Sequence, residues 1–158
     1  MKLNIQGKTA LVTGASKGIG AGICKSLYNE GVNIIGVSRS IEALQDLSKD
    51  LGSDKKNIFF DYNLEETEQV SALIKVLKDK SILPDIIVNN VGGNLGYSDP
   101  LDMLEGWKRV SRLNLEVSIQ INEAFIPSMR LKKWGRICHI SSISALENQG
   151  PPSYCAAK

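Results

Sequence analysis

The chain has 158 residues, 42% hydrophobic and 23% charged, a length and balance that suit one globular domain and exclude intrinsic disorder. Its net charge of +2 comes from scattered basic residues, which excludes the clustered basic face of a nucleic-acid binder; the densest run, residues 130–136, reads as the cationic end of a helix. No apolar stretch reaches the length of a membrane span, and Cys24, Cys138 and Cys155 lack CxxC spacing, so free thiols in a reducing, cytoplasmic setting are expected, with no metal site.

Short apolar runs then alternate with longer amphipathic segments. KTALVTG (8–14) reads as a strand, and GIGAGICKSLYNEG (18–31) as a helix with Ile19, Ile23, Leu27 and Tyr28 on its apolar face and Gly31 as its stop. VNIIGVS (32–38) is a second strand, SIEALQDLSKDLG (40–52) a helix closed by Gly52, and NIFFDY (57–62) a third strand. The next helix (63–80) is expected to open with Asn63 as cap and Glu66 at the capping-box position. After Pro84, DIIVNN (85–90) is a fourth strand and 92–100 a loop. Residues 101–133 read as mostly helical, interrupted near Gly106 and at Pro127, and GRICHIS (135–141) as a fifth strand. Continuous apolar strands alternating with helices imply a parallel sheet covered on both faces and linked by right-handed crossovers. The expected class is α/β, a Rossmann-type doubly wound sheet in three αβα layers, with 1–158 as one domain whose C-terminal part is expected to be missing.

VTGASKGIG (12–20) joins the first strand to the first helix. Gly14, Gly18 and Gly20 allow a tight turn and close approach of a pyrophosphate to the helix N-terminus, although the same glycines also suit a plain strand-to-helix turn. The second strand ends in GVSRS, so Ser38 stands where an acid would bind the ribose hydroxyls of NAD, and Arg39 follows. Arg39 and Lys17 offer positive charge for a 2′-phosphate, which favours NADP(H) over NAD(H); the alternative is that both are solvated surface charges.

TGASKGIG, NNVG (89–92), Asn114, a serine pair at a strand end and Y-x-x-x-K occur in an order that resembles the classical short-chain dehydrogenase/reductase family, from Lys8 onward. The resemblance implies a carbonyl or alcohol oxidoreductase in which Tyr154 is the general acid/base. A free phenol titrates near 10, and an ammonium one helical turn away, on Lys158, favours its ionised form. It further implies that a serine steadies the substrate oxygen. The strand end favours Ser142 for this role, while the count back from Tyr154 points to Ser141. Asn114 matches a helix asparagine that holds a water in a proton relay. The cofactor residues implied are Gly14, Ser16, Lys17, Gly18, Ile19 and Gly20 in the turn, Ser38 and Arg39 after the second strand, Asp61 at the adenine, Asn90 and Gly92 in the groove, and Tyr154 with Lys158 at the nicotinamide ribose. Val91 stands where the family more often has alanine. His139 and Cys155 receive no catalytic role.

Family members continue well beyond this lysine, so the sequence is expected to be a fragment whose parent is a homodimer or homotetramer acting on a small-molecule carbonyl or alcohol. The fifth strand is expected to present an open edge, and a helix of one turn before Lys158 is expected not to hold itself together in water. The rival readings are a dinucleotide-binding module without catalysis, an inactive fragment, and an interaction protein that recruits a partner through the fifth strand.

Overall fold

The computed structural model describes residues 3–52, 56–147 and 149–158. Strands β1 (Thr9–Thr13), β2 (Asn33–Ser38), β3 (Ile58–Asp61), β4 (Ile86–Asn89) and β5 (Arg136–His139) form one parallel sheet in the order β3-β2-β1-β4-β5. Helices α1 (Gly18–Asn29), α2 (Ile41–Leu51), α3 (Thr67–Asp79), α4 (Leu104–Ser111), α5 (Val117–Leu131) and α6 (Pro152–Ala157) connect or flank the strands. The chain moves outward from β1 to β3, then returns to the other side of β1 with β4. The reversal opens a crevice at the carboxyl ends of β1 and β4, the place where such sheets bind ligands. The doubly wound αβα architecture expected from the sequence is the one observed. Among the described residues no helix is long and apolar enough to cross a membrane.

Alternation along β1 divides the core. Leu11 packs with Val70, Leu73 and Leu77 of α3 and Val117, Ile121 and Phe125 of α5. Ala10 and Val12 face the opposite layer, with Cys24 of α1 and Leu44, Leu47 and Leu51 of α2. Because both faces are covered, β1, β2 and β4 read as unbroken apolar runs. β5 is the edge strand beside β4, and its four residues are exposed. Burial pushes the Cys24 thiol up to about 12, whereas Cys138 is exposed. A thiol-specific reagent is therefore expected to modify Cys138 in the native protein and to reach Cys24 only on unfolding, with mass spectrometry after timed labelling as the readout.

Four local expectations are corrected. Ile19 is 65% exposed, so α1 buries Gly20 and Cys24, with Ile23, Leu27 and Tyr28 packed beside them. α3 starts at Thr67 rather than at a capping box. The Asn63 Oδ1 accepts from the Glu65 N–H at 3.3 Å, and the Asn63 N–H donates to Gln69 Oε1 at 2.7 Å, which makes a turn ahead of the helix. Gly106 and Pro127 lie inside α4 and α5 without breaking them. Pro127 and Glu123 are both exposed, so the Glu123 carbonyl that proline leaves without a helical donor faces water. The interruption falls instead at a π-helical turn, Arg112–Glu116. There the Asn114 Nδ2 donates to the Val110 carbonyl at 2.8 Å, taking the acceptor of an ordinary helical bond and widening the turn. Lastly, α6 does not stand alone: it lies against α4, Ser153, Ala156 and Ala157 share a small cleft with Leu104, Trp107 and Ser111, and Ser153 is buried.

Candidate active site

β1 feeds directly into the glycine turn. Gly14 and Gly18 have φ of 64° and 54°, the left-handed region where a side chain is disfavoured. Gly20 is required by contact: a Cβ there would lie 2.0 Å from the Gly14 carbonyl oxygen and 2.7 Å from Asn90 Nδ2. The turn is braced from β4. Asn90 Nδ2 donates to the carbonyls of Thr13 at 2.9 Å and Gly14 at 3.2 Å. The Thr13 hydroxyl accepts from the N–H groups of Asn90 at 2.9 Å and Val91 at 3.0 Å, and donates to the Val88 carbonyl at 3.3 Å. Thr13 was not singled out from the sequence. Its signal was a lone polar residue ending a buried apolar run, which must find partners inside.

A cavity of about 360 Å³ opens beside this turn. Gly14, Ser16, Lys17, Gly18, Ile19 and Gly20 form one wall, which accounts for the exposure of Ile19. Ser38 and Arg39 form a second wall, Asn90 and Gly92 a third. The Ser16 and Ser38 hydroxyl oxygens lie 2.6 Å apart and tie the first two together. Tyr62, Asn63, Leu64 and Glu65, with Val37, Val91 and Leu113, also line it and were not anticipated as cavity residues. Asp61 is exposed at the end of β3, opposite Ser38 in register, and lies off this wall.

The residues present fit a dinucleotide. The N-terminus of α1 has no side-chain cap and no acid in its first turn, which leaves its N–H groups and positive dipole end for an anion. Nothing lies within 4 Å of a Cβ placed on Gly18, so the backbone is open to a ligand there. Lys17 and Arg39 are exposed at the same mouth, and among the described residues neither pairs with a carboxylate.

A second cluster lies on the far side of Gly92. The Asn114 carboxamide is held by Gly93, accepting from its N–H at 3.0 Å and donating to its carbonyl at 2.8 Å. Lys158 Nζ donates to the Ile140 carbonyl at 2.9 Å and lies 5.7 Å from the Tyr154 ring centroid. Partial burial holds the Lys158 ammonium below the usual lysine range. A Cβ on Gly92 would come within 2.5 Å of Asn114 Oδ1 and 2.7 Å of Lys158 Nζ. The glycine is thus the shared boundary of the dinucleotide cavity and the Tyr154–Lys158 cluster.

The two serines are used differently. Ser141 Oγ donates to the main-chain carbonyl of Lys158 at 2.8 Å. Ser142 Oγ accepts from the Ser144 N–H at 3.2 Å and caps a short 3₁₀ turn, Ile143–Ala145, which leaves its own proton to be donated. His139 Nε2 lies 3.3 Å from Asn122 Nδ2 on the exposed side of β5, away from Tyr154 in sequence and in hydrogen bonding.

A family model described as short chain dehydrogenase matches residues 8–158. The 3-oxoacyl-[acyl-carrier-protein] reductase FabG of Vibrio cholerae is 34% identical over 157 residues, which cover 99% of this chain and 64% of that protein. The chain thus spans about 64% of the length of such curated relatives. L-Sorbose reductase of Gluconobacter frateurii, solved with NADPH and L-sorbose, superposes with a TM-score of 0.91 at 26% identity, covering 99% of this chain and 61% of that one. RhlG of Pseudomonas aeruginosa, solved as an NADP active-site complex, superposes with a TM-score of 0.84 at 25% identity, covering 97% and 62%.

Proposed function

The chain belongs to the short chain dehydrogenase family, and from that premise we propose that it serves an NADP(H)-dependent oxidoreductase acting between a carbonyl and a secondary alcohol. The observation that carries the reading is the meeting at Gly92 of two sites, an uncapped helix N-terminus with its glycine turn and a Lys158 ammonium beside Tyr154. NADPH, when bound, supplies the hydride. Tyr154 gives its phenolic proton to the carbonyl oxygen as the alcohol forms, or takes it back in the reverse direction. Ser142 donates a hydrogen bond to the same oxygen and steadies its developing charge, a role supported by the proton it retains while capping Ser144. Lys158 keeps positive charge against the tyrosine ring, and Asn114 fixes the Gly93 backbone behind it and supports the relay of protons. Cofactor contacts fall to Gly14, Ser16, Lys17, Gly18, Ile19, Gly20, Ser38, Arg39, Asn90 and Gly92, with Asp61 at the adenine and Tyr154 and Lys158 at the ribose. An assembly of two or four copies belongs to the same reading, supported by Leu104, Leu115 and Ile119 exposed along α4, the π turn and α5.

The phosphate preference rests on Arg39. Arg39→Ala is expected to weaken NADPH binding about tenfold to a hundredfold and leave NADH nearly unchanged, the size of a lost charge-assisted hydrogen bond. Parallel fluorescence titrations measure it, and equal losses for both nucleotides would remove Arg39 from the phosphate site. The whole reading is tested by NADPH titration together with NADPH consumption on a carbonyl panel that includes a 3-oxoacyl thioester and a ketose. Binding with turnover supports it, binding without turnover on any carbonyl leaves a dinucleotide-binding module, and absence of binding overturns it.

A further inference from the structure

The loop after β4 is pinned at both ends of a tight turn. At one end Gly93 gives its N–H and carbonyl to Asn114. Asn94 then accepts from the Tyr97 N–H at 2.9 Å, closing a turn whose central residues, Leu95 and Gly96, have φ of 54° and 86°. Two successive left-handed residues are routine for glycine and strained for leucine, so something outside the turn must hold it.

Tyr97 is the second pin. Its ring lies against Gly106 of α4, where a Cβ would sit 2.5 Å from Tyr97 Cδ1, so any larger residue at 106 would evict the ring. Its hydroxyl accepts from Arg109 Nη1 at 3.1 Å. The same guanidinium meets Glu65 Oε1 through Nε and Nη2, both at 2.5 Å. The Glu65 side chain is only 11% exposed and lines the dinucleotide cavity. Of the other cations lining this groove, Arg112 is turned towards Gln120 and Glu116, and among the described residues no ion pair joins Lys108 to Glu65, whose partner is Arg109.

We propose that Arg109 is a positioning residue that couples occupancy of the dinucleotide cavity, through Glu65, to the order of the 94–97 turn that follows Gly92 and Gly93. The inference rests on the oxidoreductase reading for the identity of the cavity's occupant. A ligand seated against the Glu65 wall displaces water from that carboxylate and lowers the local dielectric, which strengthens its pairing with Arg109. A firmer Arg109 holds the Tyr97 hydroxyl, and with it the turn. By linkage, a ligand that orders the turn must tighten dinucleotide binding by the same factor.

The experiment is hydrogen exchange of the peptide spanning 93–103 in the full chain, with and without saturating NADPH, beside an NADPH titration. The wild type is expected to slow exchange of this peptide about fivefold on NADPH binding. Arg109→Gln is expected to exchange faster without ligand and to lose the NADPH-dependent slowing while still binding NADPH. Arg109→Lys, which cannot span both partners, is not expected to restore it. Tyr97→Phe removes only the hydroxyl contact and reports the coupling should Arg109→Gln fold poorly. The proposal is overturned if the wild type binds NADPH with no change at 93–103, or if the variants keep the full slowing. If the wild type binds no NADPH, the titration itself shows that the oxidoreductase reading has failed, and the coupling falls with it.

Discussion

Replacing Tyr154 with phenylalanine is expected to lower kcat about a thousandfold while leaving NADPH affinity within about twofold of the wild type, as for loss of a positioned proton donor. The substitution deletes one oxygen from a half-buried ring and keeps the ring's place beside Lys158, whose ammonium is held by the Ile140 carbonyl and not by the phenol. The lysine should therefore remain in position, and the loss would report proton transfer alone. Stopped-flow or steady-state NADPH oxidation measures the first quantity, and fluorescence titration the second. A variant that turns over at near the wild-type rate would require another acid. Cys155, its neighbour in the chain, and His139 were both left without a catalytic role.

Gly92→Ala should produce the second largest loss, and here the cause is steric. Gly92 is not in the left-handed region, so its backbone tolerates alanine. The new methyl carbon would nevertheless lie 2.5 Å from Asn114 Oδ1, 2.7 Å from Lys158 Nζ and 3.1 Å from Lys158 Cε. Asn114 cannot yield easily, because its carboxamide is fixed by Gly93 on two sides and by the Val110 carbonyl. The lysine tip, the softer partner, gives up its bond to Ile140, and Asn114 Oδ1, the nearer atom, is pushed off the Gly93 N–H. The expected stability loss is about 1 kcal/mol, as for modest overpacking. The expected fall in kcat is about a hundredfold, as for an ångström of misplacement at a reacting group. Thermal unfolding and turnover measured on the same preparation separate the two. A large drop in Tm with proportionate loss of activity would mean that the backbone gave way instead of the lysine.

The centre of the sheet was legible because β1, β2 and β4 are buried on both faces: Leu11, Ile35 and Ile87 face one layer, Ala10, Ile34 and Val88 the other. The glycine turn was legible because its residues are contiguous and each is needed locally. Helix details were less so. Ile19 looked like part of an apolar helix face, but the first turn of α1 borders a cavity, and periodicity alone cannot distinguish a core from a binding wall. Asn63 looked like a cap, yet its side chain serves a turn four residues before the helix begins. Gly106 and Pro127 are the residues that usually interrupt helices, and here a carboxamide did so by bonding to its own backbone. The least legible features pair residues far apart in the chain, such as Thr13 with Asn90 and Glu65 with Arg109. Neither partner carries a sign of the other.

The widened turn at Arg112–Glu116 sets the phase of everything that follows it. Along α5 the buried positions Val117, Ile121, Phe125 and Met129 recur every fourth residue, whereas an α-helix turns in 3.6. The apolar stripe therefore creeps around the helix, and the wider π turn rotates α5 relative to α4. Asn114 thus works as a rotational spacer as well as a polar group near Lys158. Removing its amide costs one hydrogen bond to the Val110 carbonyl, less than the burial of Ile121 and Phe125 contributes, so the core keeps the phase of α5 while the widened turn loosens locally. Lost turnover in an Asn114→Ala variant would then record a loosened turn together with any defect in proton transfer. Asn114→Asp keeps the acceptor for the Gly93 N–H but loses the donor to both the Gly93 and the Val110 carbonyls, so the turn should loosen there as well.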